Sequence, residues 1–407
     1  MKWLKRELKK FMKNKSVLLF GVGDLQKSII HRAKGLGLFV VGIDPYDQAR
    51  CRNDVDAFEI VPGDDFNKTL EVAKKYDISA IVTAATDKPL LMMAKIAREL
   101  HLPFFSEDTA IWSTDKYKMK ERFVAGGVPC AKGMLISSVE EAKNINFPVI
   151  CKPRDNSGSR GVKICYSKAD LQVCIDEARA NSKHDSVLIE EYIEGKEYSI
   201  ESFHLNGKSR IIQFTEKKTT EFPYNVELGH KQPANLSESE KEAIKTIIDN
   251  IALCMKFEYC PSHTELKIND RGIFVIETSP RLGGDFITSL LTPLSTGVNI
   301  EDLLLKISLG EQVNISEVQE NRSSGISFFS FNEGIVNNIH PEMYSIAKMP
   351  NVVDFSLKLH KGDRVNKITS SLNRYGYFVV AADSRMQVDK LIDEYSEKAI
   401  SSIDINS

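Results

Sequence analysis

The chain has 407 residues, too many for one ordinary domain and enough for two to four packed units with a sizeable core. Its 54 basic and 56 acidic residues nearly cancel, which argues against the strong positive field of a nucleic-acid binder. Hydrophobic residues make up 42%, yet no apolar run approaches the ~18 residues that cross a bilayer, so no membrane span is expected.

The first fifteen residues carry seven Lys/Arg and one Glu, with Trp3, Leu4, Leu8, Phe11 and Met12 in helical spacing. No apolar segment follows, so a secretion signal is not indicated. They read as a basic amphipathic helix on the protein's own surface, with membrane-surface contact as the alternative. Cys51, Cys130, Cys151, Cys165, Cys174, Cys254 and Cys260 form no CxxC pair and leave an odd thiol. That pattern points away from a zinc site or a disulfide framework and toward a reducing cytoplasm.

Strands and helices alternate from 16 to 105. The apolar run 16–20 ends in the tight turn Gly21-Val22-Gly23-Asp24; a helix is expected at 29–34, strands at 38–43 and 80–83, and a helix at 90–100. This order predicts a parallel sheet with helices on its faces, a Rossmann-like unit over 1–105. Two glycines of a dinucleotide fingerprint are present, but the third is missing, and Asp44 closes the second strand where a ribose-binding acid can sit. The turn is read as structural or substrate-facing, with an NAD site as the alternative.

The stretch 106–310 reads as a second unit, in two parts. Residues 106–190 suggest strand pairs, glycine-rich turns and short helices starting at Ser138-x-x-Glu141 and Ser167-x-x-Asp170. Residues 191–310 contain a long helix opened by Ser237-x-x-Glu240, with Ala243, Ile244, Ile247, Ile248, Ile251 and Met255 on one face. The remainder, 311–407, reads as a small α+β cap with strands at 352–359 and 377–382 and a helix near 386–399.

Four clusters carry chemistry. In the first, Lys152 ends an apolar strand and leads into Arg154-Asp-Asn-Ser-Gly158-Ser159-Arg-Gly161. Such a loop folds backbone N–H groups over phosphate oxygens while the lysine supplies a point charge; a flexible hairpin tip is the alternative. The only GK[ST] triplet, Gly207-Lys208-Ser209, lacks the upstream glycine of a P-loop, and Asn206-Gly207 reads as a hairpin turn. In the second, an apolar strand runs into Glu190 and Glu191, then Ile193, a Gly195 turn and Glu197. Backbone groups there can read an adenine edge, and a following acid can accept from ribose hydroxyls.

The third cluster is Glu265 to Arg281. A three-residue loop Asp270-Arg271-Gly272 sets Glu265 opposite Glu277 and gathers Leu266, Ile268, Phe274 and Ile276 on the other, core face. Two carboxylates ~5 Å apart repel. Either a divalent cation or the nearby Lys267 and Arg281 must offset that, and an oxygen-only donor set suits Mg²⁺ or Mn²⁺. The fourth is Glu227-x-x-His230, in a loop where a lone histidine is more often structural or solvated.

Taken in order, these motifs resemble the ATP-grasp superfamily over roughly 16–310, and the cap resembles the C-terminal part of its carboxylate-amine ligases. The resemblance implies an ATP-grasp fold of mixed α/β and α+β class, in which Lys116 and Lys152 contact ATP phosphates. Gly158 and Ser159 then belong to the phosphate loop, Glu190, Glu191 and Ile193 to the adenine hinge, Glu197 to the ribose site, and Glu265 and Glu277 to the metal site. One departure is Ser279, where the family usually has a metal-binding Asn, so more water around one ion is expected.

The Glu-Thr-Ser-Pro-Arg281 run and Glu227-x-x-His230 are similar to bacterial L-amino-acid ligases, which makes Glu227, His230 and Arg281 the substrate-side candidates. The implied reaction activates a small carboxylate as an acyl phosphate and couples it to an amine. His230 or Glu227 would bind the amine or act as general base, and Arg281 would hold a carboxylate or stabilise an oxyanion. A homodimer fits the resemblance. The alternatives are a ligase of nucleotide-precursor metabolism, a non-catalytic ATP-binding protein and an NAD-dependent oxidoreductase.

Overall fold

The computed structural model describes residues 15–143, 145–221, 224–313 and 322–406; the expected basic N-terminal helix, apart from Lys15, lies outside them. Strands Ser16–Phe20, Phe39–Asp44, Ala57–Ile60 and Ile78–Val82 form an all-parallel sheet, with Ser16–Phe20 between Phe39–Asp44 and Ile78–Val82. Both of its faces are covered, which is why its strands read as continuous apolar runs. Leu18 and Phe20 pack into one core and Val17 and Leu19 into another. The second core receives helix Ile300–Ser308, whose Leu304 and Leu305 return to the N-terminal sheet from far along the chain. Buried Glu301 on that helix accepts from Ser28 Oγ at 2.6 Å.

The GVGDLQ turn is self-satisfied. Asp44 accepts from the backbone N–H groups of Val22 and Tyr46, both at 3.0 Å, and Gln26 accepts from Gly23 N–H at 3.0 Å while donating to Ala84 O at 2.6 Å. The acid that a ribose would need is already used to shape the turn. The structural reading of this turn therefore accounts for its residues.

A smaller antiparallel sheet follows, in the order Gly133–Ile136, Val187–Glu191, Val149–Lys152, Lys163–Cys165, with helix Leu171–Ala180 over one face. The two helix starts expected here need correction. Ser138 opens only a 3₁₀ turn, Val139–Glu141, and Glu141 instead accepts from Ser137 N–H at 3.0 Å. Ser167 lies ahead of helix Leu171–Ala180, whose cap position is Asp170, and the two side chains bond to each other at 2.7 Å.

An eight-stranded antiparallel sheet dominates the rest. Its order is Gly272–Ser279, Cys260–Asn269, Lys196–Leu205, Lys208–Thr219, Glu227–Gln232, Ser323–Phe328, Gly376–Ala382, Val352–Leu357, so strands from beyond 320 continue it. Helix Arg385–Ser401 covers that end. Helix Glu238–Met255 opens with the expected capping box of Ser237 and Glu240 and buries Ile244, Ile247, Ile248, Ile251 and Met255; Ala243, expected on that face, is exposed. Its apolar stripe packs on Tyr198, Ile200, Leu266 and Val275 of the large sheet. No helix among the described residues is long and apolar enough to cross a membrane.

Ile251 is fully buried in this interface. Ile251→Ala should therefore cost about 2–5 kcal/mol of stability through lost transfer energy and a residual cavity, measured as a lower denaturant midpoint with an unchanged slope.

Candidate active site

Because side chains alternate along a strand, the sheet face turned away from helix Glu238–Met255 is polar. Directly opposed residues form rows across it. One row is Glu277, Glu265, Ser199, Thr215; the next is Lys267, Glu197, Lys217, His230. A third sets Ser279 opposite His263 and His263 opposite Glu201. This face is the floor of a cleft whose roof is the smaller sheet and its glycine loop. Lys116, Lys152, Asn156, Ser157, Gly158, Ser159, Glu190, Glu191, Ile193, Glu197, Glu227, Glu265 and Glu277 all line it.

Glu265 and Glu277 do face each other, by a different route from the one the sequence suggests. Asn269 pairs with Gly272, so the loop has two residues, one fewer than expected, and Leu266 opposes Val275. A bulge then accommodates Ile276 and restores the Glu265–Glu277 pairing. Shifting a register by one residue moves side chains to the other face. The core face therefore holds Leu266, Ile268, Ile273 and Val275, whereas Phe274 stacks under Arg271 and Ile276 lines the cleft.

The direct partners of the two acids are Lys116, Lys217 and His263, while Arg281, one of the two cations expected here, adds its charge without contact. Lys116 contacts Glu277. Lys217, its side chain 3% exposed, reaches Glu265 at 2.8 Å, Glu227 at 3.4 Å and Glu197 at 4.0 Å. Burial alone would lower the Lys217 pKa, but these acids hold it well above the ordinary lysine value. Burial would raise Glu265, yet Lys217 and His263 keep it well below the usual carboxylate range. Lys267 is engaged instead with Glu197 at 3.1 Å.

At the roof, Glu190 lies between Lys152, which it contacts, and Lys120 at 2.8 Å. Burial would raise the Glu190 carboxyl; the two lysines hold it low. Lys152 is pushed below the ordinary lysine value, first by burial and then by repulsion from Lys116 and Lys120, against the pull of Glu190. A crowded, desolvated set of ammonium groups is a place where anionic oxygens would be stabilised. The backbone at Gly158, Ser159 and Gly161 is left-handed, with φ of 69°, 57° and 74°, which turns the loop tip over the cleft. Of the hinge residues, Ile193 is buried and Glu191 binds Arg271 at 2.6 Å. The Glu190 side chain belongs to the lysine cluster.

Arg281 and His230 are not among the residues lining this cleft. Arg281 is clasped by Asp87 of the N-terminal unit at 2.8 and 3.2 Å, and Ser279, in the place of the family's Asn, donates to the same Asp87 at 2.6 Å. His230 faces Asp285 at 3.4 Å.

Sequence reasoning missed Asp87, Lys120, Lys217, Glu201, His263, Asp285 and Arg374. A signal for Lys217 was available in its alternation with Gln213 and Thr215, which sets polar residues in a row on one strand. His263 was equally visible, two residues before Glu265 and so on the same face. Its Nδ1 bonds Glu201 at 2.6 Å and its Nε2 lies 3.3 Å from Glu265. Gly283 permits this packing, since a Cβ there would lie 2.8 Å from His263 Nδ1.

Burial would lower the His263 pKa, but Glu201 and then Glu265 push it up to about 9. A pKa raised on folding contributes stability that is fully present below the unfolded value near ~6.5 and is lost as pH rises through the folded one. Wild type should lose denaturant stability between pH 7 and about 9.5, and His263→Gln should show a flatter profile over that window.

Residues 145–289 match the ATP-grasp domain and residues 327–401 match L-amino acid ligase C-terminal domain 2. An uncharacterized protein of Sinorhizobium fredii is 27% identical over 343 residues, covering 82% of this chain and 69% of that protein. An L-amino acid ligase from Bacillus licheniformis superposes with a TM-score of 0.83 at 18% identity, over 97% of this chain and 99% of that one. The biotin carboxylase domain of 2-oxoglutarate carboxylase from Hydrogenobacter thermophilus, solved with MgADP and bicarbonate, gives a TM-score of 0.72 at 20% identity, over 96% and 90% of the two chains. With an ATP-grasp domain followed by an L-amino acid ligase C-terminal domain, on a lysine- and carboxylate-lined cleft, the chain belongs to the ATP-grasp superfamily of ATP-dependent ligases.

Proposed function

We propose that this ligase activates a small carboxylate, an amino acid in the preferred reading, as an acyl phosphate and couples it to an amine, releasing ADP and phosphate. ATP and Mg²⁺ are the nucleotide and ion of the family. The observation that carries the reading is the facing Glu265–Glu277 pair at the foot of a cleft roofed by Lys116, Lys152 and the glycine loop.

The pair fits Mg²⁺. Among the described residues no group of three or more acids, histidines or cysteines could hold an ion unaided. Mg²⁺ does not need one, because it commonly binds through one or two carboxylates and completes its shell with phosphate oxygens and water. Bound there, the ion supplies charge neutralisation on the phosphates. The remaining roles fall to the chain: Lys116 and Lys152 hold phosphate oxygens, residues 191–193 contact the adenine, Glu197 meets the ribose, and the loop at 156–161 excludes water that would hydrolyse the acyl phosphate. Glu227, His230 and Arg281 serve the two substrates.

The C-terminal domain match favours amino-acid substrates over the nucleotide-precursor alternative. We further place the protein in the cytoplasm, consistent with its free cysteines, and propose a homodimer.

ADP release measured against a matrix of amino acids and small carboxylates, with product masses recorded, should show turnover only when an acid and an amine are both supplied. ATP binding without turnover under every combination would contradict the ligase reading. Glu277→Gln should reduce ADP release by about 100-fold or more with the fold intact by circular dichroism, and activity surviving that change would remove the metal assignment.

A further inference from the structure

His230 stands directly opposite Lys217, so it lies on the same polar face of the sheet, next to the lysine that lines the cleft. It is 1% exposed, and its ring is held edge-on to Phe328 at 6.2 Å. Nε2 faces Asp285 Oδ2 at 3.4 Å, whereas Nδ1 is buried without a hydrogen-bond partner among the described residues. A buried nitrogen left unpaired is costly, and such exceptions call for an explanation.

Asp285 is itself fixed from the other side. Arg374, contributed by the C-terminal part, binds both its carboxylate oxygens at 2.7 and 2.6 Å, donates to Glu227 O at 3.2 Å, and lies 3.6 Å over the Phe328 ring. Burial would raise the Asp285 carboxyl, but the bonds from Arg374 and His230 hold it well below the usual range, so it is a carboxylate and accepts only. Asp285 and Phe286 are consecutive non-glycine residues with φ of 50° and 63°, followed by the π-turn Ile287–Leu291. Strain of this kind persists where the surroundings over-determine it, often at functional sites.

We infer that Arg374 and Asp285 are positioning residues that lock His230 with its proton on Nε2, leaving the Nδ1 lone pair as the proton acceptor for the incoming amine. Since Asp285 only accepts, the nitrogen facing it must carry the proton, and in the neutral ring the other nitrogen is then bare. Arg374 already supplies the counter-charge of Asp285, so the carboxylate orients the ring without needing an imidazolium beside it. This is the logic of a base oriented by a third group, here with the C-terminal part of the chain completing the constellation.

An ammonium substrate gives one proton to Nδ1; the freed amine forms the C–N bond to the acyl carbon, and the C–O bond to phosphate breaks. The second proton shed by nitrogen leaves with the phosphate, as hydrogen phosphate. The inference rests on the ligase reading, because only an amine-consuming reaction needs this acceptor.

Two measurements test it. In ¹⁵N-histidine NMR of the full chain, with the His230 signal assigned from His230→Gln, the ring should be protonated at Nε2 and bare at Nδ1. Asp285→Asn, whose side chain tolerates the left-handed backbone, should shift that balance. A wild-type ring protonated at Nδ1 overturns the inference whatever the activity.

In the kinetic arm, the best carboxylate from the substrate matrix is coupled either to the common amino acids or to hydroxylamine, which is largely unprotonated at neutral pH and does not require the base. Asp285→Asn should depress amide formation about 100-fold, and at least about 30-fold more than hydroxamate formation. Equal loss of both products means a structural role and overturns the base assignment. The double variant Asp285→Asn/Arg374→Gln, which removes both charges, replaces the single one if that fails to fold. Wild type forming no hydroxamate with any carboxylate sinks the ligase reading, and the base role with it, while the NMR arm decides the tautomer independently.

Discussion

Two carboxylates at directly opposed positions on neighbouring strands impose the constraint from which the site is built. Glu265 and Glu277 repel unless positive charge lies close by, and the chain brings that charge from two distant places. Lys116 arrives from the start of helix Lys116–Ala125 and Lys217 from a strand two positions away in the same sheet. Their convergence fixes how the helical segment before the small sheet must dock on the large one. The floor and the roof of the cleft are thereby held in register by electrostatics as well as by the apolar core beneath.

The same constraint explains the unusual polarity of the sheet interior. Lys217, Glu201, His263 and Gln213 are almost wholly removed from water, which is tolerable only because each has a partner of complementary charge or hydrogen-bonding character. Desolvated pairs of this kind are poor sources of net stability but strong determinants of geometry. The large apolar clusters supply the stability, and the polar face spends none of it on flexible surface contacts. Three parts of the chain meet at this face: Asp87 comes from the N-terminal unit, Arg374 from the C-terminal part, and the acids and lysines from between.

Much of this was legible in the residues. The parallel N-terminal sheet follows from βα alternation, and helix Glu238–Met255 from its capping box and apolar stripe. The facing acids were legible too, although the hairpin reached that pairing through a two-residue loop compensated by a bulge, a pair of offsetting events that loop chemistry alone does not reveal. What remained hidden was long-range partnership. Asp87 lies 194 residues from Arg281, and Arg374 lies 89 from Asp285, separations at which no local pattern announces a contact. Lysine and histidine in strands look solvated in a sequence; only the sheet order shows that Lys217 and His263 sit in the fourth and second strands from one edge, beneath the roof.

The central claim is that Glu265 and Glu277 together hold a divalent ion against the phosphates of ATP. Electron paramagnetic resonance of Mn²⁺, titrated with and without a non-hydrolysable ATP analogue, reads this directly. Tight Mn²⁺ binding should appear only with the nucleotide present and should be lost in the double variant Glu265→Gln/Glu277→Gln. Undiminished nucleotide-dependent Mn²⁺ binding in that variant would place the ion elsewhere and contradict the account.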